Sequence, residues 1–261
     1  PVLDAVSLAI EPGECVLIDG AIGSGKSTLL RLIAGLSRPT SGGIAFDGVG
    51  IDELQPMRLR RQVAYLPEHA VLFRGTILDN LTLFEPEKHL ERAMELAAAL
   101  KLDHAIAKLP DGFETEVGDD LADLLPLGIR QQIGIVRALA SDPRIILFDQ
   151  PNGGLDIEAD QRLVELIAGM KGRATVVMVT PRGSYRRLAD RVVVLGRGGA
   201  GALQAILPSA ARDKIKAANP KLRIRAELQA EGGAGVGARP LSVGARRGAG
   251  AARLRPGALR H

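Results

Sequence analysis

The sequence of 261 residues, 46% of them hydrophobic, is long enough for one large α/β domain, and its single cysteine excludes a framework of internal disulfides. The net charge of +4 is concentrated at the C-terminal end: residues 221–261 hold nine Lys/Arg and two Asp/Glu, whereas residues 1–220 hold 25 basic and 28 acidic residues. The mildly acidic main part gives no support for a nucleic-acid groove, so we expect no nucleic-acid partner.

The predicted elements alternate between strands and helices along the chain. The predicted strands are Val6–Ile10, Cys15–Ile18, Ser41–Asp47, Val63–Leu66, Ile145–Phe148, Ala174–Thr180 and Arg191–Leu195. The predicted helices are Lys26–Leu36, Glu87–Leu102, Pro126–Leu139 and Asp156–Met170. The run Ile145–Phe148 is continuously apolar, which is typical of a central parallel strand buried on both faces. This alternation predicts an α/β fold in which helices cover both faces of a parallel sheet.

The regular pattern ends at about Ala217. We predict one domain over residues 1–216 and a Gly/Ala/Arg-rich tail over residues 217–261, of which Glu231–His261 is expected to be disordered on composition alone. No apolar run reaches the roughly 20 residues that cross a bilayer. The chain opens at Pro1 without Met or a signal peptide, so we expect a piece of a longer protein with any membrane portion outside it.

A glycine-rich loop between a predicted strand and a predicted helix matches the pattern GxxxxGK[ST]. Its candidate nucleotide-binding residues are Gly20, Ala21, Ile22, Gly23, Ser24, Gly25, Lys26, Ser27 and Thr28. The glycines let backbone N–H groups approach phosphate oxygens, and the helix N-terminus adds partial positive charge. Lys26 supplies a positive charge to the β- and γ-phosphates, and the Ser27 hydroxyl is a ligand for Mg²⁺. The loop therefore predicts binding of a nucleoside triphosphate.

A carboxylate follows the most apolar strand. Asp149 comes directly after Ile145–Phe148 and is a candidate for holding the Mg²⁺ shell opposite the phosphate loop. An apolar run that ends in Asp is common, but its pairing with an intact phosphate loop makes the interpretation specific.

Two further segments, Leu72–Leu81 and Leu109–Gly118, are more discriminating than the phosphate loop, which many NTPase families share. They are similar to the LFxGTIxxNI and LPxGxxTxVGE segments of one family. Through them the chain resembles the nucleotide-binding domain of an exporter-type ABC transporter. The resemblance, over about residues 1–197, implies the ABC ATPase fold. That fold has a P-loop NTPase core with a parallel sheet, an antiparallel β subdomain and a helical subdomain, here at about residues 75–140.

The same resemblance implies cofactors, partners and location. ATP and Mg²⁺ are the expected cofactors. The expected partners are the transmembrane domain of an exporter, N-terminal in the same polypeptide, and a second nucleotide-binding domain in a homo- or heterodimer. The protein is then expected at the cytoplasmic face of the inner or plasma membrane, and its transported substrate is not readable from this chain.

Several motif positions depart from the family pattern. Gln150 occupies the position of the catalytic Glu, and an amide cannot accept a proton from water at neutral pH. Pro181 occupies the position of the switch His and lacks both a side-chain donor and an N–H. Glu68 replaces the glutamine that approaches Mg²⁺, whereas Asp156 of the D-loop is retained.

The signature LSGGQ is also altered. It appears here as Leu125, Pro126, Leu127, Gly128 and Ile129. Pro126 fits a helix N-terminus but removes a hydroxyl and a donor, and Leu127 puts a branched side chain where the backbone would approach phosphate. Further along the chain, we interpret Arg186–Arg187 as part of a solvated helix face rather than as a phosphate clamp.

These substitutions predict an ATP-binding exporter domain in which hydrolysis is impaired. Two alternatives stay open: an active transport ATPase whose altered motifs are compensated by other groups, and a soluble, non-transport scaffold with an ABC-like domain. The exporter-type segment Leu72–Leu81 argues against the scaffold, because in the family that region faces the membrane domain.

Overall fold

The computed structural model describes residues 3–4, 6–118, 125–196, 204–206 and 224–228. Its strands are β1 (Val6–Ile10), β2 (Cys15–Gly20), β3 (Gly42–Phe46), β4 (Val49–Gly50), β5 (Val63–Leu66), β6 (Gly75–Thr76), β7 (Glu116–Val117), β8 (Ile145–Asp149), β9 (Thr175–Val179), β10 (Arg191–Leu195), β11 (Gln204–Ile206) and β12 (Ile224–Leu228). Its α-helices are α1 (Lys26–Ile33), α2 (Pro56–Gln62), α3 (Ile77–Leu81), α4 (Pro86–Ala99), α5 (Leu102–Ile106), α6 (Leu127–Leu139), α7 (Ile157–Met170) and α8 (Gly183–Leu188).

A six-stranded sheet forms the centre, in the order β11-β10-β2-β9-β8-β5, and β11 is its antiparallel member. Consecutive β2 residues point to opposite faces: Cys15 and Leu17 join the core cluster that contains α6 and α7, whereas Val16 and Ile18 join the one that contains α1. Every residue of β8 and β9 is buried, as the apolar runs predict. Burial raises the pKa of the Cys15 thiol to about 12, which agrees with a core residue.

A second, antiparallel sheet has the order β1-β12-β3-β4. In it β12 pairs with β1 (Val6 opposite Leu228) and with β3 (Ile224 opposite Phe46). This strand lies inside the segment 217–261 that the sequence predicts as a tail, so the structure differs from that prediction at residues 224–228. The strands that pair with β12 lie far away in the sequence. The local composition of residues 224–228 therefore does not indicate that they form a strand. The predicted disorder of Glu231–His261 falls outside the described residues.

Helices α3–α6 lie in the predicted helical segment at about residues 75–140. The predicted helix Glu87–Leu102 is wrong at its end, because Lys101 has a φ of 54° and separates α4 from α5. The predicted helix Lys26–Leu36 ends early, at Ile33: Gly35 adopts a φ of 71°, and the Leu36 N–H bonds back to the Arg31 carbonyl. Among the described residues, no helix has the length and apolarity needed to cross a membrane.

Because β12 lies between β1 and β3 in the sheet, we expect a chain that ends at Ile206 to lose about 2 kcal/mol or more of unfolding free energy in urea, through its lost backbone pairing. A chain that ends at Glu231 keeps β12 and is the matched control, expected to unfold like the full chain. Equal stability of the two truncated chains would contradict a role for β12 in the fold.

Candidate functional site

The glycine-rich loop joins the end of β2 to the start of α1. Gly20, Gly23 and Gly25 have φ values of 146°, 79° and 92°, a region that side-chain-bearing residues rarely adopt. The Lys26 ammonium donates to the carbonyl oxygens of Gly20, at 2.8 Å, and Ala21, at 2.9 Å. Lys26 therefore lies across the loop, and the first turn of α1 has no side-chain cap on its N–H groups.

The loop is tight at its first glycine. A Cβ on Gly20 would lie 2.6 Å from the Leu195 carbonyl oxygen and 2.8 Å from the Ser24 Oγ. That Ser24 hydroxyl is buried and has no hydrogen-bond partner among the described residues. An orphaned hydroxyl among uncapped N–H groups fits a loop whose donors are satisfied by phosphate oxygens.

The Asp149 carboxylate lies at the carboxyl end of β8, near the loop. Burial raises its pKa, and the Glu68 carboxylate raises it further, while hydrogen bonds from the Ser27 and Tyr65 hydroxyls and the charge of Lys26 lower it. Its Oδ1 is buried without a hydrogen-bond partner among the described residues. Carboxylate and hydroxyl oxygens are the ligands that Mg²⁺ takes in proteins, so Asp149 and Ser27 fit a magnesium site, with exposed Glu68 nearby.

Gln150 sits at a strained backbone position. It adopts a φ of 50°, its N–H donates to the Val179 carbonyl at 2.8 Å, and its carbonyl accepts from the Gly153 N–H at 3.1 Å. A left-handed conformation in a residue other than glycine costs free energy and persists only where surrounding contacts hold it. The side chain at this position is therefore presented by a fixed turn between β8 and α7.

The turn that carries Pro181 is held on both sides. The Thr180 hydroxyl donates to the Asn152 side chain at 2.9 Å and accepts from the Arg182 N–H at 3.2 Å. The Arg182 guanidinium forms a 2.8 Å ion pair with buried Asp160. Pro181 itself is exposed and offers no donor, so this turn has a fixed shape without a polar group at its tip.

The altered signature residues begin α6. Leu125 is buried, and Pro126 occupies the N-cap position, as its fit to a helix N-terminus predicts. Leu127 packs against Gly154, where a Cβ would meet the Leu127 Cγ at 2.7 Å, and a Cβ on Gly128 would meet the Gly154 carbonyl oxygen at 2.7 Å. The branched side chain of Leu127 thus lies against the D-loop of the same chain.

The D-loop ends at the start of α7. Asp156 is the N-cap of that helix, and its Oδ1 accepts from the Ala159 N–H at 2.7 Å. The retained Asp therefore has a structural role in this chain, whatever else it contacts in an assembly.

Gln131 was missed by sequence reasoning. This fully buried side chain on α6 accepts from the Ala70 N–H and donates to the Pro151 carbonyl, both at 3.2 Å. It joins the segment after β5, which carries Glu68, to the segment after β8, which carries Gln150. A polar residue on a buried helix face is the only signal in the sequence that could have singled it out.

Arg186 lies on an exposed face of α8, as predicted, but its ion pair was not foreseen from the sequence. Its guanidinium forms a 2.9 Å ion pair with Asp19, the residue directly before Gly20. The two residues are 167 positions apart, so no local pattern connects them.

An exposed apolar surface lies beside the helical segment. It consists of Val71, Phe73, Leu83 and Phe84. Leu83 and Phe84 both have positive φ values, and the Arg137 guanidinium lies 4.4 Å from the centroid of the Phe73 ring. Buried Asn80 fixes the Phe73 backbone by accepting from its N–H and donating to its carbonyl, both at 2.8 Å. This surface is held in shape by contacts beneath it.

Comparison with protein families shows that residues 3–153 match a family model described as ABC transporter. Among known proteins, the type I secretion system ATP-binding protein PrsD of Rhizobium meliloti is 34% identical over 76% of this chain and 34% of its own length. The mycobactin import ATP-binding/permease protein IrtB of Mycobacterium tuberculosis H37Rv is 36% identical over 76% of this chain and 34% of its own length. The chain thus spans about a third of the length of these relatives.

Among solved structures, a bacterial Atm1-family ABC exporter with ATP bound is similar to this chain, with a TM-score of 0.69 and 29% identity. The similarity covers 76% of this chain and 35% of the exporter chain.

Gly20→Ala is expected to lower the free energy of unfolding by about 1–3 kcal/mol, because the added Cβ would overlap the Leu195 carbonyl at a positive φ. Urea unfolding measures the change. Gly183→Ala is the matched control, since its Cβ would meet no atom within 4 Å and its φ is not in the left-handed range. An unchanged midpoint for Gly20→Ala would show that the loop relaxes freely.

Proposed function

The chain belongs to the ABC transporter family, and on that premise we propose that it binds Mg-ATP and pairs with a second nucleotide-binding domain while hydrolysing ATP slowly or not at all. The resemblance to an exporter-type nucleotide-binding domain and the predicted α/β fold are confirmed by the family match and by the similar exporter structure. The observation that carries the proposal is a complete phosphate loop and Asp149 beside Gln150 and Pro181, where the family has its hydrolytic groups.

The binding groups are in place. The loop glycines and the uncapped N–H groups of α1 would hold the phosphates, and Lys26 would exchange its bonds to the loop carbonyls for phosphate oxygens. Ser27 and Asp149 would hold Mg²⁺, which when bound neutralises phosphate charge. The buried, unpartnered Asp149 Oδ1 supports this assignment.

The groups that hydrolyse ATP in the family are missing from their positions in this chain. The Gln150 amide can orient a water molecule but cannot take its proton, and Pro181 has no donor for a γ-phosphate. The turns that carry both residues are fixed by hydrogen bonds from Gln150 and Thr180. Loss of a general base typically costs about 10²–10⁴ in rate.

Pairing is proposed with a different, active partner domain. In the family the signature loop of one domain contacts the nucleotide of the other. Pro126 and Leu127 remove polar groups from that loop, and Leu127 is already packed on Gly154. A homodimer would have two impaired sites, each without the base, the switch and a proper signature. With an intact partner, one site would lack the base and the switch, and the other would lack only a proper signature.

Membrane coupling is the remaining part of the proposal. The apolar surface of Val71, Phe73, Leu83 and Phe84 has the chemistry and fixed shape of a docking site for a transmembrane domain. One relative is named an ATP-binding/permease protein, and another, from Actinobacillus pleuropneumoniae, a toxin RTX-III translocation ATP-binding protein. We therefore propose that this chain lies at the cytoplasmic face of a membrane, joined to a transmembrane domain N-terminal in the same polypeptide.

Lys26→Ala is expected to weaken Mg-ATP binding at least about tenfold, because the ammonium charge beside the phosphates is lost. Isothermal titration of the 261-residue chain measures the affinity. Lys88→Ala removes a lysine paired with Glu85 on the surface of α4 and is expected to leave the affinity unchanged. Unaltered affinity in Lys26→Ala would remove the basis for a nucleotide site at this loop.

The double substitution Gln150→Glu with Pro181→His is expected to raise ATP turnover about tenfold or more, since it restores a proton acceptor and a γ-phosphate donor. Phosphate release from matched concentrations of the two proteins measures this. Robust turnover by the unsubstituted chain, little changed by the substitutions, would instead favour an active ATPase with compensated motifs.

A further inference from the structure

A carboxylate directly precedes the phosphate loop. Asp19 Oδ1 accepts from the Gly20 N–H at 2.7 Å, and Asp19 Oδ2 accepts from the Arg186 guanidinium at 2.9 Å. An unpaired negative charge beside a triphosphate site would oppose binding of that anion. Arg186 supplies the opposite charge where the carboxylate enters the loop.

Asp19 and the loop lysine contact the same glycine. The Gly20 N–H donates to Asp19, and the Gly20 carbonyl accepts from the Lys26 ammonium at 2.8 Å. Standard backbone dimensions then place the Asp19 carboxylate within about 10 Å of the Lys26 charge. That separation is about one Debye length at physiological salt, so the charge state around Asp19 acts on the phosphate site.

Helix α8 holds Arg186 in place. Its first turn is fixed where the Tyr185 hydroxyl and the Arg182 guanidinium both bond the Asp160 carboxylate at 2.8 Å. Its last residue, Leu188, accepts a hydrogen bond from the Lys171 ammonium at 2.8 Å. With both ends of the helix anchored, the Arg186 side chain needs no rearrangement of the backbone to reach Asp19.

Fold stability does not account for this pair. The side chains of Arg186 and Asp19 are 50% and 43% exposed, and ion pairs of that kind contribute little to stability. We propose that Arg186 sets the affinity of the nucleotide site by neutralising Asp19 beside the phosphate loop. The inference rests on the proposed binding of Mg-ATP.

The test is a double-mutant cycle on the 261-residue chain, with Mg-ATP and Mg-ADP affinities measured by isothermal titration. Arg186→Gln is expected to weaken Mg-ATP binding about fivefold and Mg-ADP binding less, because the triphosphate carries more charge. Asp19→Asn is expected to strengthen Mg-ATP binding. The double variant is expected to return to within about twofold of the unsubstituted chain, since the repelling charge and its counter-charge are removed together.

Two controls distinguish an effect of the Arg186 charge from an effect of the Arg186 side chain on the shape of the phosphate loop. Arg38→Gln removes an exposed arginine that lies five residues beyond the C-terminal end of α1, a helix of about 12 Å, and is expected to leave the affinity unchanged. Raising NaCl from 0.1 to about 0.5 M is expected to shrink the difference between Arg186→Gln and the unsubstituted chain.

Each outcome decides the inference. A loss of affinity in Arg186→Gln that persists in the double variant and in high salt would overturn it, because Arg186 would then be shaping the loop. Unchanged affinity in Arg186→Gln, with Mg-ATP still bound by the unsubstituted chain, would overturn this inference alone. Failure of the unsubstituted chain to bind Mg-ATP would overturn the proposed function, and this inference with it.

Discussion

The parallel pairing of β2, β9 and β8 is the constraint on which the candidate site depends. Ile18 pairs with Val179, and Val179 pairs with Asp149, so the carboxyl ends of the three strands meet at one edge of the sheet. All three strands are lined by buried aliphatic side chains on both faces, and a slip in register would disrupt both core clusters. The phosphate loop, Gln150 and the turn at Pro181 lie at the same edge of the sheet for this reason.

A few buried polar groups then fix how the loops at that edge lie. Gln131 bonds the segments after β5 and after β8 with both ends of its amide, and Thr180 bonds Asn152 across neighbouring turns. Because each of these bonds joins two separate segments, the bonded groups specify how the loops lie relative to one another. The side chains replaced at positions 150 and 181 are carried by this framework and are not part of it. Different side chains at these two positions are therefore compatible with the same arrangement of the loops.

The phosphate loop also has a pair of oppositely charged side chains at its start. Asp19 introduces a negative charge at its start, and Arg186 on α8 compensates it. Because α8 is bonded through Arg182 and Tyr185 to Asp160 of α7, the charge balance at the loop depends on contacts that reach the helix following the D-loop. Electrostatics at the loop and the packing of α7 and α8 are thus linked in this chain.

Local patterns in the sequence were enough to predict the main strands, the phosphate loop and the Asp149 carboxylate at the end of β8. Those features depend on periodicity and on residue types within a few positions of each other. Short helices such as α2 and α5 were missed, since five to seven residues carry too little periodic pattern. The predicted end of α4 was wrong, because the left-handed backbone conformation of Lys101 is not indicated by its residue type.

The sequence by itself predicted an α/β core with a phosphate loop, and it put Gln150 and Pro181 where the family pattern has its hydrolytic groups. Only the tertiary structure decided that β12 joins β1 to β3, that Gln131 bridges two loops and that Arg186 pairs with Asp19. The physical reason is separation along the chain. A motif acts through neighbouring residues, whereas these contacts join segments tens to more than a hundred residues apart, and they form only after the sheets and helices have packed.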